Sequence, residues 1–196
     1  MSVTPRTFRC VVTAALAIVT VALLAAPAGA VTDPEQWADT FCTETATWLT
    51  SAQQGANTLS TQANDPSLTA AGAKKLLADY LRTGVGATKA FGHEVKRAGA
   101  PDVQNGPKIQ AAILTGIAGS QVKLAALEKT AKALPTKPLG VFQKASTKLV
   151  NQLGKFADPF TKGVDNAKSL DTSGQLGSAI NTLPSCTALD QLSSGS

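Results

Sequence analysis

Apolar positions follow two different patterns along this chain. Near the start, a continuous apolar run covers residues 11–26, with two arginines just before it. The small residues Ala28-Gly29-Ala30 follow shortly after the run. A basic start, an apolar segment of this length and an A-x-A-like end are typical of a secretory signal peptide rather than of a membrane span. We therefore expect residues 1–30 to be a Sec-type signal peptide that is cleaved near Ala30-Val31.

This signal predicts a secreted or extracytoplasmic protein. We expect no transmembrane span after cleavage, because no second apolar run is long enough to cross a bilayer. The length of residues 31–196 suits a single helical-bundle domain. Residues 190–196 are expected to be disordered.

Beyond the leader, apolar residues recur at helical spacing and breakers separate the segments. Asp33-Pro34 supplies an N-cap followed by a proline at the first helical position, and the helix is predicted to run to about Ser60. A second helix is expected from about 67 to 98 and a third from 106 to 134. No segment shows the sustained period-2 alternation of a strand.

A fourth long pattern is the clearest of all. Pro159 lies inside it and is expected to kink the helix or divide it in two. A short fifth helix is expected over residues 175–183. The predicted fold class is therefore all-α, an up-down four-helix bundle with a short C-terminal fifth helix and one disulfide. The apolar residues of the fourth pattern lie largely at a and d of four heptads: Phe142, Leu149, Leu153, Phe156, Phe160, Ala167 and Leu170.

The cysteines support the export prediction. Cys10 lies in the predicted leader, so cleavage leaves Cys42 and Cys186. Two cysteines in an oxidising compartment predict one disulfide, which would connect the first helix to the end of the chain. In the chain-entropy model a loop of this length is worth roughly 4–5 kcal/mol. The alternative is a pair of free, buried thiols.

Charge is unevenly distributed. The leader contains two of the 18 basic residues and none of the 13 acidic ones, so cleavage lowers the net charge from +5 to +3. Residues 31–61 contain no Lys or Arg, whereas residues 74–168 contain 16 basic residues and six acidic ones. Four lysines of the fourth pattern lie within about 40° of one another on a continuous helix. They are Lys144, Lys148, Lys155 and Lys162.

These lysines suggest two interpretations. They form either a solvated helix face or a contact surface for an anionic envelope polymer or lipid headgroups. Nucleic acid is not expected as a partner, because of the extracytoplasmic address and because no exposed aromatic residues are interspersed among the lysines.

An aromatic stripe on the first helix also has two interpretations. Trp37, Phe41 and Trp48 fall on one face at helical spacing. They belong either to the core or to the wall of an apolar pocket between helices. The second interpretation predicts a carrier of a small apolar ligand.

Candidate catalytic residues are scarce. His93 is the chain's only histidine, and the sequence contains no nucleophile-elbow motif and no His- or Cys-based metal motif. We therefore expect no catalytic residues, no metal site and no cofactor, and predict that the protein is not an enzyme.

The chain resembles the small exported helical proteins of actinobacteria. The resemblance rests on the leader ending Ala28-Gly29-Ala30, the opening Trp37…Phe41-Cys42…Trp48 and the single cysteine near the C-terminus. It implies an exported helical fold and no particular reaction. We therefore expect a non-enzymatic protein that interacts with the cell envelope or with a protein partner.

Overall fold

The structure is a computed structural model that describes the backbone of residues 31–194 and the side chains of residues 31–189. The predicted signal peptide, residues 1–30, lies outside the described residues. The described part is all-α apart from one pair of two-residue strands, which confirms the predicted fold class. Its helices are α1 (Pro34–Ala63), α2 (Ala70–Arg97), α3 (Gly106–Lys132), α4 (Leu139–Leu153), α5 (Asp158–Leu170), α6 (Gln175–Thr182) and α7 (Pro184–Ser194).

The start of α1 follows the capping pattern predicted from the sequence. The Asp33 carboxylate accepts hydrogen bonds from the backbone N–H groups of Glu35 (3.0 Å) and Gln36 (3.2 Å). Pro34 occupies the first turn, where its missing N–H costs nothing. At the other end α1 continues to Ala63, about one turn beyond the predicted end.

The fourth apolar pattern forms two helices. α4 ends at Leu153, four turn residues follow, and α5 starts at Asp158 with Pro159 in its first turn. A proline inside a helix lacks the N–H for the ladder and clashes with the preceding turn, whereas the first turn tolerates it. The division expected at Pro159 is therefore confirmed, and the residues on either side of the link do not belong to one continuous helix.

A short parallel strand pair was not predicted. β1 (Val31–Thr32) pairs with β2 (Ala100–Pro101), and the N–H of Asp102 donates to the Thr32 carbonyl over 2.7 Å. The Trp37 indole N–H also donates to the Gly99 carbonyl over 2.8 Å. These bonds fasten the segment before α1 to the link between α2 and α3.

The helices pack around two groups of buried apolar side chains. α1 packs on α2, α2 on α3, and α3 on α5, while α6 and α7 both pack on α1. The up-down order of four long helices stays a prediction, since the fourth pattern is divided and two further helices contact α1. In the first group Trp37, Phe41, Trp48 and Phe91 are buried, and Phe156 and Phe160 are partly buried and packed against them; we call these six residues the aromatic cluster. The second includes Leu77, Leu81, Leu124, Leu127, Phe142 and Leu149.

The predicted disulfide connects α1 to α7. Cys42 and Cys186 have sulfur atoms 1.98 Å apart, and both residues are buried. The short helix predicted over 175–183 is present as α6. The last helix was not predicted, and its backbone extends to Ser194, into the segment expected to be disordered; residues 195–196 lie outside the described residues.

α3 and α5 approach each other through two glycines. A Cβ added at Gly163 would lie 2.8 Å from the Ala112 carbonyl oxygen and 3.0 Å from the Cα of Gly116. Both neighbours are backbone atoms, which cannot rotate away as a side chain can. Only glycine therefore allows this separation between the two helices.

Gly163→Ala should push α5 away from α3. We expect a loss of about 1–3 kcal/mol in the free energy of unfolding, typical of overpacking. Urea denaturation followed by circular dichroism measures it. Gly86→Ala in α2 is the matched control, because a Cβ there meets no atom within 4 Å. The control should gain up to about 1 kcal/mol from helix propensity. Equal stability gains in both variants would contradict the close packing.

Candidate functional site

Residues 31–189 bring few polar side chains into the core, and their potential metal ligands are dispersed. His93 is exposed on α2. Between residues 31 and 189, no group of three His, Cys, Asp or Glu side chains is placed to hold a metal ion. The only buried polar side chains there are Thr45, Thr88 and Ser120.

The predicted aromatic stripe is part of the core. Trp37 and Phe41 are stacked with ring centroids 5.2 Å apart, and both are buried. Trp48 is stacked on Phe91 of α2 at 5.4 Å and meets Phe160 of α5 edge-on at 5.4 Å. Direct ring contacts therefore place these three residues in the core.

One apolar cleft is present further along α1. Trp48 forms one side of the cleft and Tyr80 of α2 forms another. Gly55, Gly84 and other small residues also line it and leave space because their side chains are small or absent. Its volume is about 40 Å³. This is room for one or a few waters, because about 10–15 Å³ is needed for one, whereas the cavity known to bind benzene measures about 150 Å³. Trp37 and Phe41 do not line the cleft.

Trp48 makes a buried hydrogen bond beside this cleft. Its indole N–H donates to the Thr88 hydroxyl over 3.1 Å, and that hydroxyl donates to the Gly84 carbonyl over 2.9 Å. Thr88 is fully buried. Both polar groups are therefore satisfied within the protein, as buried polar groups must be to avoid a desolvation penalty.

The structure places three of the four predicted lysines around one depression and the fourth in a different groove. Lys144 and Lys148 lie on α4 and Lys155 lies in the α4–α5 link, and all three line one shallow depression. Lys162 lies on α5 and lines a different groove together with Lys108. The angular argument that grouped Lys162 with the other three needs a continuous helix, whereas α4 ends at Leu153.

We call the first of these regions the α4 basic surface. Its three lysines are exposed. They share the depression with uncharged polar side chains, which the sequence analysis had not singled out. The α4 basic surface consists of Lys144, Thr147, Lys148, Asn151, Gln152 and Lys155.

The stretch of sequence that contains this surface has no acidic residues. Residues 129–157 contain six lysines and no Asp or Glu. The next acid, Asp158, has its carboxylate 3.4 Å from the Lys123 ammonium. Lys123 also donates to the Lys155 carbonyl over 2.9 Å, which holds this pair beside the link.

The three lysines have no carboxylate within ion-pair distance among the described side chains. The ion pairs found there join other residues, such as Lys75 with Asp79 and Lys132 with Glu128. The α4 basic surface therefore presents three positive charges that form no ion pair with a described carboxylate. A surface of this kind attracts anions, and the attraction weakens as salt increases.

Comparisons with known proteins give no family for this chain. No protein-family model matches it, and neither curated proteins nor solved structures show significant similarity to it. Among the helices of the described residues, none combines the length and apolar character needed to cross a bilayer.

Tyr80 should titrate abnormally in the folded protein. Burial raises the pKa of its phenol above the ordinary value of 10.0. The unfolded state therefore loses this proton first, and stability should fall as pH rises above about 10 towards the folded pKa. Ultraviolet absorbance reports the phenolate directly, since the chain has one tyrosine.

Tyr80→Phe is the control for this titration. This variant should abolish the absorbance change. It should also remove the part of the stability loss at high pH that comes from the Tyr80 phenol, which urea unfolding at several pH values measures. Coincident phenolate titration curves for native and denatured protein would contradict the prediction.

Proposed function

We propose that this is an exported, non-enzymatic helical protein that interacts with the cell envelope or a protein partner through its α4 basic surface. The observation that carries the proposal is the set of three exposed lysines, none of which has a carboxylate within ion-pair distance among the described side chains. In an envelope, the complementary partners are an anionic polymer, lipid headgroups or an acidic protein surface.

Export is supported by two independent features. The first 30 residues have the pattern of a cleavable leader. The disulfide between Cys42 and Cys186 is compatible with an extracytoplasmic location, because cytosolic thiols are normally kept reduced.

The size of the apolar cleft favours a contact protein over a carrier. A carrier encloses most of its ligand in a pocket of several hundred Å³. The cleft at Trp48 and Tyr80 measures about 40 Å³, so a ligand with a single six-membered ring would have to displace core side chains. We therefore do not adopt the carrier alternative.

Export makes a prediction about the covalent state of the protein. The form recovered outside the cytoplasm should begin at or near Val31 and should carry no free thiol, because its two remaining cysteines are paired. Intact mass spectrometry of the full-length gene product, before and after alkylation without reductant, measures both. An uncleaved protein in the cytosol with alkylated Cys42 and Cys186 would contradict this prediction.

Replacing the lysines of the α4 basic surface should strongly weaken docking. Each lysine near an anionic surface contributes about 1 kcal/mol, so the triple variant Lys144→Ala/Lys148→Ala/Lys155→Ala should bind about 100-fold more weakly. Cosedimentation with isolated cell envelopes at low salt measures the affinity. Raising the salt should release the unsubstituted protein.

A second triple variant controls for net charge. Lys89, Lys96 and Lys168 are exposed on α2 and α5, outside the α4 basic surface. Changing these three to Ala removes the same charge and should weaken binding far less. Equal weakening in both variants would show that net charge alone is responsible, and no binding by the unsubstituted protein at any salt would remove the proposal.

A further inference from the structure

We infer that the α4 basic surface binds a linear polyanion that lies along the α4 axis, rather than the flat headgroup layer of a bilayer. This inference rests on the proposed function and specifies its partner. The polymer is defined by its chemistry: an extended chain with phosphate or carboxylate groups at regular intervals.

The first argument is the arrangement of the lysines in a row. Lys144 and Lys148 are one helical turn apart on the same side of α4, about 6 Å along the axis. Lys155 lies two residues beyond the end of α4, in the link to α5, and lines the same depression. Three cations along one depression fit successive anionic groups of one extended chain.

The second argument is what lies between the lysines. Asn151 and Gln152 fill the interval from Lys148 to Lys155 and line the same depression. Their side-chain amides offer hydrogen-bond donors that carry no charge. A polymer that crosses this interval therefore meets uncharged hydrogen-bond donors between the lysines. A surface that binds one isolated anion would need no donors other than those that contact that anion.

The third argument concerns the exposed aliphatic side chains of α4. Membrane-surface helices insert apolar side chains next to their basic ones. Leu139 and Val150 are 60% and 52% exposed, but at 100° per residue they lie about 120–180° around the axis from Lys144 and Lys148. Only Val141 falls beside the lysines. A bilayer docked on this surface would gain little apolar burial.

Aromatic residues on α4 give no support for nucleic-acid bases. Phe142, the one aromatic residue of α4, is buried in the second core group. Proteins that bind single strands stack the bases on exposed aromatic rings. The surface is therefore suited to the charged backbone of a polymer and offers nothing for stacking.

The test uses the protein from Val31 to Ser196 with its disulfide formed. Linear inorganic polyphosphates of increasing length are titrated at low salt and at equal total phosphate, with binding followed by isothermal calorimetry. Affinity should rise with chain length until the chain spans the three lysines, and should change little beyond that length. Orthophosphate should bind at least tenfold more weakly than the long chains.

Lys155→Ala separates a row from a general basic patch. It should weaken long chains about fivefold, the loss of one lysine contact, and should change the affinity of the shortest oligophosphates less than twofold because Lys144 and Lys148 remain. Lys89→Ala, outside the surface, should leave every length unchanged. Equal weakening at all lengths by Lys155→Ala would overturn the inference.

Vesicles distinguish the failure of this inference from failure of the proposed function. Phosphatidylglycerol vesicles at the same anionic concentration should bind more weakly than the long polyphosphates. Tighter binding to the vesicles, or affinity independent of polymer length, would overturn the linear polyanion and leave the docking proposal standing. Binding to neither polyphosphate nor vesicles, together with no binding to cell envelopes, would remove both.

Discussion

Trp48 of α1 is stacked on Phe91 of α2 and meets the ring of Phe160 of α5 edge-on, so one side chain joins three helices. Phe91 and Phe160 also contact each other with centroids 5.6 Å apart, which closes the triangle. Aromatic pairs in these geometries contribute about 0.5–1.5 kcal/mol beyond the area that they bury. This contact therefore fastens α5 to α1 and α2.

α4 is held less extensively than its neighbours. Of its residues, only Phe142 and Leu149 are buried, both in the second core group. Because the chain is divided before Pro159, α4 need not point in the same direction as α5. α4 packs on α3 through a narrow apolar edge, and most of the remaining helix surface faces solvent. That wide outer side is where the basic surface lies, and the absence of acids in residues 129–157 keeps its charge unneutralised.

Local signals in the sequence predicted most of the helix positions. Asp33 and Pro34 placed the start of α1, and Pro159 placed the division between α4 and α5, because each acts on the backbone within one turn. The disulfide followed from there being only two cysteines beyond the leader. These features need no knowledge of distant contacts.

The features that the sequence analysis missed depend on distant contacts or on small departures from ideal helices. β1 and β2 are two residues each, too short for an alternating pattern, and pair across more than 60 residues. Lys162 was grouped with the other three lysines on the assumption of one continuous helix, whereas four non-helical residues separate α4 from α5. The small cleft lies at Gly55 and Gly84, where α1 and α2 come together, and its presence depends on contacts between separate helices.

The position of the disulfide has a consequence for assembly of the exported form that we propose. Cys42 and Cys186 are separated by 144 residues, so a chain that emerges amino end first exposes one thiol long before the other. In the proposed form, which begins near Val31, residues 31–196 contain no third cysteine that could mispair within the same molecule. The incorrect product is therefore a disulfide between two molecules, and its yield should rise with the local concentration of newly emerged chains.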